Sequence, residues 1–140
     1  HIQSGKCALV MRGHESAVIT VDVTADGLFL FAGGDDKTIR KWDTETGAEL
    51  LKLVGHEDWV YCVQVSVDGQ TVCSGGGDYR GDNTVRLWNG TTGASSQVMR
   101  GHTDDVSAVA LNADASLVYS GSYDASIKEW DAMSGECLRT

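Results

Sequence analysis

The stretch GHESAVITVDVTADGLFLFAGGDDKTIRKWD, Gly13–Asp43, decides the fold, because the rest of the chain repeats its pattern. It begins with Gly-His and ends with Trp-Asp, and between these pairs lie short runs of β-branched and apolar residues separated by Asp-Gly and Gly-Gly turns. Such runs, in a chain without proline, predict short strands rather than helices. We therefore expect three antiparallel strands here, and a fourth in the run AELLKLV that follows.

The pattern occurs three times along the chain. Gly-His pairs begin at residues 13, 55 and 101, at intervals of 42 and 46 residues. From His to Trp the spacing is 28 residues in the first and third copies and 32 in the second, which indicates a four-residue insertion near residues 77–81. Because periods of about 20 to 50 residues are typical of repeat architectures, we assign residues 13–54, 55–100 and 101–140 to three repeats of one domain.

These residues resemble the WD-repeat (WD40) family of β-propellers, whose repeat extends from Gly-His to Trp-Asp over the four strands of a blade. The resemblance covers essentially the whole chain and rests on three Gly-His pairs, each followed by TIRKWD, TVRLWN or SIKEWD. It implies an all-β fold class: a β-propeller segment of three four-stranded antiparallel blades.

The first residues suggest a further, incomplete blade. The segment SGKCALVMRGH aligns with TGAELLKLVGH and TGASSQVMRGH, so residues 1–12 are expected to form an outer strand of a preceding blade. Closed propellers have about 4 to 8 blades, so three do not complete a ring. We expect the remaining blades to lie in the same parent chain; a homo-oligomer is the alternative, which the extra leading strand disfavours.

Polar residues recur in register and could suggest a metal centre or catalytic triads. The resemblance implies a structural role instead, in which a His, the Asp of a tight turn, a Ser and the Trp indole form one hydrogen-bonded network per blade. The expected sets are His14, Asp36 and Trp42; His56, Ser74, Asp82 and Trp88; and His102, Ser120, Asp124 and Trp130. Because each His has its own carboxylate in its own blade, we expect no metal site, no cofactor and no catalytic residue.

Three residues depart from the family pattern. Ala32 stands where the network Ser is expected, so the first network should lack one member. Asn89 replaces the Asp that follows the Trp, and Ala115 replaces the Gly of the third Asp-Gly turn.

Two aromatic residues of the second repeat allow two interpretations. Trp59 and Tyr61 share strand parity with Val63, which favours burial in the core. Val60, which aligns with Val18 and Val106, is out of phase with Val63, so the strand entry should be irregular. In that case the resemblance places both rings on the top face, around the central channel. The candidate partner-binding residues are Ile19, Asp35, Trp59, Tyr61, Tyr79, Arg80, Asp105, Ser107 and Tyr123.

Aromatic rings beside carboxylates are suited to hold an Arg or Lys side chain. We therefore expect a non-catalytic protein–protein interaction scaffold that presents a top-face site for a basic or Arg-containing peptide segment. The alternative is a structural component of a large multi-protein assembly, with contacts through blade sides and loops. An enzyme is disfavoured, because no His or Cys-His pair remains outside the networks.

Composition restricts the other partners. A formal net charge of −9 opposes binding to a phosphate backbone, so we expect protein partners and no direct nucleic-acid binding. We also expect no membrane association, since apolar runs are short and the N-terminus lacks signal-peptide character. Four unpaired, scattered cysteines fit a reducing compartment, which indicates an intracellular protein, in the cytoplasm by preference and in the nucleus as the alternative.

Overall fold

A computed structural model describes residues 7–78 and 81–140, and every regular element in these ranges is a β-strand. The strands form three four-stranded antiparallel sheets in which neighbours in sequence are neighbours in space. The first sheet contains β1 (Val18–Val23), β2 (Phe29–Gly34), β3 (Thr38–Asp43) and β4 (Glu49–Val54). The second contains β5 (Trp59–Val65), β6 (Thr71–Gly77), β7 (Val85–Asn89) and β8 (Ser95–Met99). The third contains β9 (Val106–Leu111), β10 (Leu117–Ser122), β11 (Ile127–Asp131) and β12 (Cys137–Arg139).

The predicted all-β class and the three four-stranded antiparallel blades are thus confirmed. The expected leading strand is not formed over residues 7–12, which carry no strand. A strand needs a hydrogen-bonded neighbour, and no strand of the described residues lies beside this segment. Residues 1–6 lie outside the described residues. No helix in the described part of the chain has the length and apolarity needed to cross a bilayer.

The core consists of two apolar layers, one between each pair of adjacent sheets. Between the first and second sheets lie Phe31, Ile39, Leu53, Val60, Val63, Val65, Val72 and Trp88. Between the second and third lie Cys62, Cys73, Val85, Leu87, Met99, Val106, Val118 and Trp130. Burial raises the pKa of the Cys62 thiol to about 12, so this cysteine packs as a small apolar residue rather than acting as a nucleophile.

The turn between the first two strands of each sheet is held by one carboxylate. In the first sheet, Asp26 Oδ1 accepts hydrogen bonds from Thr24 Oγ1 at 2.6 Å and from Leu28 N at 2.9 Å. Asp68 accepts equivalent bonds from Ser66 Oγ and Gln70 N in the second sheet. In the third sheet Asp114 accepts both bonds from Ser116, through its amide and its hydroxyl. The next residue adopts positive φ, which suits Gly27 (74°) and Gly69 (71°) but is unfavourable for a residue with a Cβ.

Ala115 is the third member of this set, at φ 56°. Replacing it with Gly should raise the free energy of unfolding by about 1 kcal/mol, because the left-handed conformation no longer strains a side chain. Urea-induced unfolding followed by circular dichroism measures the change. The matched control is Ala113→Gly in the same turn, where φ is not positive; it should be neutral or destabilising. Equal effects of the two substitutions would contradict the explanation from strain.

Candidate functional site

The polar network of the second sheet is a continuous chain of hydrogen bonds. His56 Nδ1 lies 2.8 Å from Asp82 Oδ2, His56 Nε2 lies 2.7 Å from Ser74 Oγ, and Trp88 Nε1 donates to Ser74 Oγ at 2.8 Å. Because a carboxylate only accepts, the ring proton of neutral His56 lies on Nδ1, and the Ser74 hydroxyl donates to Nε2. Glu57 N donates to the same Asp82 oxygen, so the network fixes the loop that leads into β5.

The third sheet repeats this arrangement, with His102 Nδ1 at 2.7 Å from Asp124 Oδ2 and Trp130 Nε1 donating to Ser120 Oγ at 2.8 Å. The first sheet departs from it. His14 Nδ1 lies 2.9 Å from Asp36 Oδ2, but Nε2 faces the Ala32 carbonyl oxygen at 3.3 Å. Trp42 Nε1 is buried without a hydrogen-bond partner among the described residues. The Ser-to-Ala change at 32 therefore leaves an unpaired donor in this blade.

The network keeps its carboxylates charged. Burial raises the pKa of Asp36, but hydrogen bonds from Glu15 N, Thr38 and His14 outweigh it and lower the pKa to about 2. For His56, burial lowers the pKa by more than the neighbouring Asp82 raises it. Neutral imidazole beside charged carboxylate is a stable structural pair, and it matches the proton on Nδ1.

Each sheet begins with an irregularity in the same place. The register between the first two strands shifts between Val18 and Thr20, between Val60 and Cys62, and at Val106 in the third sheet. The extra residues at these β-bulges are Ile19, Tyr61 and Ser107. A bulge redirects one side chain while the strand continues. The change of phase expected from the sequence is therefore present, and Tyr61 does not follow Val63 into the core.

Tyr61 lies within a group of aromatic and acidic side chains. Its ring packs edge-on against that of Trp59, with centroids 6.3 Å apart, and both residues are half-buried. Burial raises the pKa of the Tyr61 hydroxyl, and the charges of Asp78, Asp105, Tyr123 and Asp35 raise it further. We use the name rim cluster for Asp35, Trp59, Tyr61, Asp78, Asp105 and Tyr123.

Two hydrogen bonds from backbone amides connect residues of the rim cluster, one between the second and third sheets and one within the third repeat. Asp105 Oδ1 accepts a hydrogen bond from Asp78 N at 2.6 Å, and the Asp105 carbonyl accepts one from Tyr123 N at 3.0 Å. The Tyr123 side chain is 68% exposed. The two remaining described candidates, Ile19 and Ser107, are exposed at the bulges of their own sheets. Tyr79 and Arg80 lie outside the described residues.

The structure also contains a basic residue that the sequence-based site list lacks. Lys37 Nζ donates to the Glu57 carbonyl oxygen at 2.9 Å and lies 3.5 Å from Asp58 Oδ1, so it joins the first two sheets. Its position, directly after the turn Asp36, corresponds to Asn83 and Ala125 in the other repeats. Only the first repeat has a basic residue at this position, and this difference between the repeats is the sequence signal that could have identified Lys37.

The described residues contain no group of three or more His, Cys, Asp or Glu side chains that could hold a metal ion. Each of the three described His residues faces the carboxylate of its own sheet, at 2.7 to 2.9 Å, and the three pairs do not converge.

Restoring the missing hydroxyl should stabilise the first sheet. Ala32→Ser gives Trp42 Nε1 an acceptor, in a cavity of about 360 Å³ that Ala32, His14 and Trp42 line, and should raise the free energy of unfolding by about 1 kcal/mol. The reverse changes, Ser74→Ala and Ser120→Ala, should each lower it by about 1 to 3 kcal/mol, because a buried indole N–H loses its partner. Thermal and urea unfolding measure all three; a destabilised Ala32→Ser variant would contradict the assignment.

Acidification should lower the free energy of unfolding in two ranges. His56 has a depressed pKa when folded, so its contribution is complete above its ordinary value of 6.5 and is lost as the pH falls below that value. Asp36 has a folded pKa of about 2, so its contribution is complete above 3.8 and is lost as the pH falls towards 2. Urea unfolding across this pH range measures both steps. His56→Gln should remove the upper step and keep the lower one; an unchanged upper step would show that another group causes it.

Comparisons with known proteins agree with this geometry. A family model described as "WD domain, G-beta repeat" matches residues 5–43, 47–89 and 93–131, and each match begins in the segment before a Gly-His pair. Two solved structures are similar over 94% of this chain: "Structure of U3-55K", with a TM-score of 0.85 and 28% identity, and "Crystal structure of RRP9 WD40 repeats", with 0.84 and 29%. This chain covers 41% and 40% of those two chains.

Curated relatives match over one repeat's length. The Ribosome biogenesis protein erb1 of Aspergillus fumigatus is 50% identical over 44 residues, which are 31% of this chain and 6% of that protein. The Ribosome biogenesis protein ERB1 of Yarrowia lipolytica is 43% identical over 47 residues, which are 34% of this chain and 6% of that protein. The chain thus spans a small part of these relatives. Because the family model matches most of the chain, and the sheets have the corresponding topology, the chain belongs to the WD-repeat family of β-propeller proteins.

Proposed function

We propose that this chain is a non-catalytic scaffold whose rim cluster binds a basic or Arg-containing segment of a partner protein. The observation that carries the proposal is the surroundings of Tyr61: a half-buried ring, edge-on to Trp59, within the field of the Asp35, Asp78 and Asp105 carboxylates. A cation is attracted to both features at once, by the face of an aromatic ring and by a charge-assisted hydrogen bond.

At the junction of the first and second sheets, the chain itself pairs a cation with a carbonyl oxygen and a carboxylate. Lys37 bridges the Glu57 carbonyl and the Asp58 carboxylate across the first and second sheets. At the corresponding position of the second repeat stands Asn83, which carries no charge. We expect a cation of the partner to bind at the junction of the second and third sheets, where Asp105 and Tyr123 lie.

The relatives support a role in assembly. The curated relatives are ribosome biogenesis proteins, and the similar structures are of U3-55K and of RRP9. We infer that this chain serves as a protein-binding scaffold in a multi-protein assembly of that kind. For such a role the nucleus is the expected compartment within the cell, in place of the cytoplasmic preference drawn from the sequence.

A purely structural role in such an assembly is the second candidate. Exposed apolar side chains favour it, among them Val54 on the edge strand β4, at 68% exposure, and Ile127 on β11, at 71%. Under this alternative, the blade sides carry the contacts and the rim cluster is a solvated surface. Enzymatic activity has no support in the described residues, since each network His is already bonded to a carboxylate.

A fluorescent peptide with one central arginine, and the same peptide with glutamine, test the rim cluster. The arginine peptide should bind more tightly, and Asp105→Asn should weaken it by about tenfold, because the variant keeps its hydrogen-bonding shape but loses its charge. The matched control is Glu45→Gln in an exposed outer loop, which should leave the affinity unchanged. Fluorescence anisotropy measures the binding.

Trp59→Ala separates the rim interpretation from the core interpretation. If the ring serves a partner, the variant should keep the circular dichroism and unfolding transition of the parent chain but bind the arginine peptide more weakly. If the variant fails to fold, Trp59 is a core residue and the rim proposal is wrong. Equal binding of the arginine and glutamine peptides would also reject the proposal and favour the structural role.

A further inference from the structure

The two junctions between sheets are alike at the first strands of the second and third sheets. Val60 packs over Gly33 at the first junction, and Val106 packs over Gly75 at the second. At each junction a backbone amide also donates to a side chain of the preceding sheet, namely Val65 N to Asp22 Oδ2 and Leu111 N to Gln64 Oε1. Because these contacts repeat, a difference elsewhere between the two junctions reflects the particular side chains that lie there.

Such a difference occurs at the third strands, where the first junction contains a buried lysine. Lys41, on β3, is buried, and its Nζ lies 4.1 Å from the centre of the Phe29 ring. Lys41 Nζ donates to the Gly90 carbonyl oxygen of the second sheet at 2.9 Å. Burial lowers the pKa of Lys41, and the charge of Asp26 opposes this. The chain thus holds a lysine side chain between these two sheets, with an aromatic ring, a carbonyl oxygen and a carboxylate around its charge.

The second junction has a groove where the first has the lysine. The positions that hold the buried lysine, its aromatic ring and its acceptor carbonyl are occupied at the second junction by Leu87, Thr71 and Ala132. All three line a cavity of about 430 Å³, together with Asp131 and Met133. Leucine and threonine are smaller than lysine and phenylalanine, so the space that is filled at the first junction is open at the second.

The groove carries a negative charge on a fixed frame. Asp131 Oδ1 accepts hydrogen bonds from Ser134 N at 2.7 Å and from Met133 N at 3.0 Å, and these bonds lower the pKa of the carboxyl. Gln97 Nε2 donates to the Met133 carbonyl oxygen at 2.6 Å, which connects β8 to the turn after β11. The described residues that line the groove include no Lys or Arg. A cation that enters therefore meets a carboxylate and no positive charge from the lining residues.

A second cavity adjoins the groove and brings further carboxylates near it. It measures about 250 Å³, shares Ala115 with the groove, and is also lined by Asp68 and Asp114. Asp68 is the counterpart of Asp26, the carboxylate whose charge acts on the buried lysine of the first junction. The carbonyl oxygen and the carboxylate around that lysine thus have counterparts at the second junction, whereas the lysine itself has none.

We propose that the groove between the second and third sheets binds a lysine side chain of a partner protein. The alkyl chain lies against Leu87 and Met133, and the ammonium lies at the Ala132 carbonyl oxygen and the Asp131 carboxylate. The burial of Lys41 at the first junction carries the argument. Both sheets that form the groove have all four of their strands. The groove contains no residue of the rim cluster, so the inference does not depend on the proposed function.

Two small compounds test the groove by nuclear magnetic resonance on the isotope-labelled chain. Nα-acetyl-lysine methylamide should shift the amide signals of Leu87, Ala132 and Met133 in a saturable way. The norleucine analogue keeps the alkyl chain but lacks the ammonium, so it should bind at least about threefold more weakly. Saturable shifts confined to residues of the rim cluster would show that the lysine compound binds there instead, and would reject the groove.

The charge of the groove is tested by Asp131→Asn. The variant keeps the turn, because Asn89, at the same position of the second repeat, accepts hydrogen bonds from Thr91 N and Thr92 N in the same way. It should weaken binding of the lysine compound by about two- to fivefold, the size expected for a partly exposed ion pair. Asp43→Asn, the same change in the first sheet, is the matched control and should leave the affinity unchanged.

Leu87→Lys supplies the proposed occupant from within the chain. Its side chain should fill the groove, as Lys41 fills the first junction, and abolish the shifts that the lysine compound causes. Leu87→Met adds no charge and should retain them. If Leu87→Lys does not fold, the norleucine comparison and Asp131→Asn decide the question.

Four results would overturn the proposal. The norleucine compound could bind as tightly as the lysine compound, Asp131→Asn could bind as tightly as the parent chain, or Leu87→Lys could fold and still bind the lysine compound. Shifts of the Leu87, Ala132 and Met133 signals that depend on protein concentration, before any compound is added, would show that a second copy of the chain occupies the groove.

Discussion

The hydrogen bond between a network histidine and the carboxylate of its turn is the interaction on which the rest of each blade depends. In the second sheet it joins the loop before β5 to the turn after β6, and Ser74 extends it to the buried Trp88 indole. Sheet pairing alone would leave both loops free. With the network in place, the start of β5 has a fixed position, and the bulge at Tyr61 is set within it.

The sheets are then joined by contacts that differ from those within them. Each sheet gives the next a glycine surface for one valine and, at its inner edge, side-chain acceptors for backbone amides. Apolar burial supplies most of the stabilisation and has little directional preference. The hydrogen bonds add direction, because an amide faces either an acceptor or an apolar side chain, and only the acceptor is tolerated when water is excluded.

Much of the fold could be predicted from the sequence, because the periodic signals are local. Three Gly-His pairs and strand-length apolar runs were enough to predict three four-stranded sheets. The out-of-phase Val60 was enough to predict an irregular start of β5, where the bulge lies. Residues 7–12 carry no strand, because strand formation depends on a hydrogen-bonded neighbour, and a local sequence pattern does not reveal one. Lys37 was missed for a related reason: its partners, Glu57 and Asp58, belong to the next repeat.

At each bulge the valine stays paired in the strand ladder, whereas the residue after it lies outside the ladder. Val18, Val60 and Val106 are the same residue in all three repeats, since each occupies a position shaped by the sheet. The residues that follow, Ile19, Tyr61 and Ser107, share neither size nor polarity. A side chain outside the ladder and outside the apolar layer can change without disturbing either. The residue at the bulge can therefore differ from repeat to repeat while the sheet around it stays the same, much as an antibody loop varies on a constant framework.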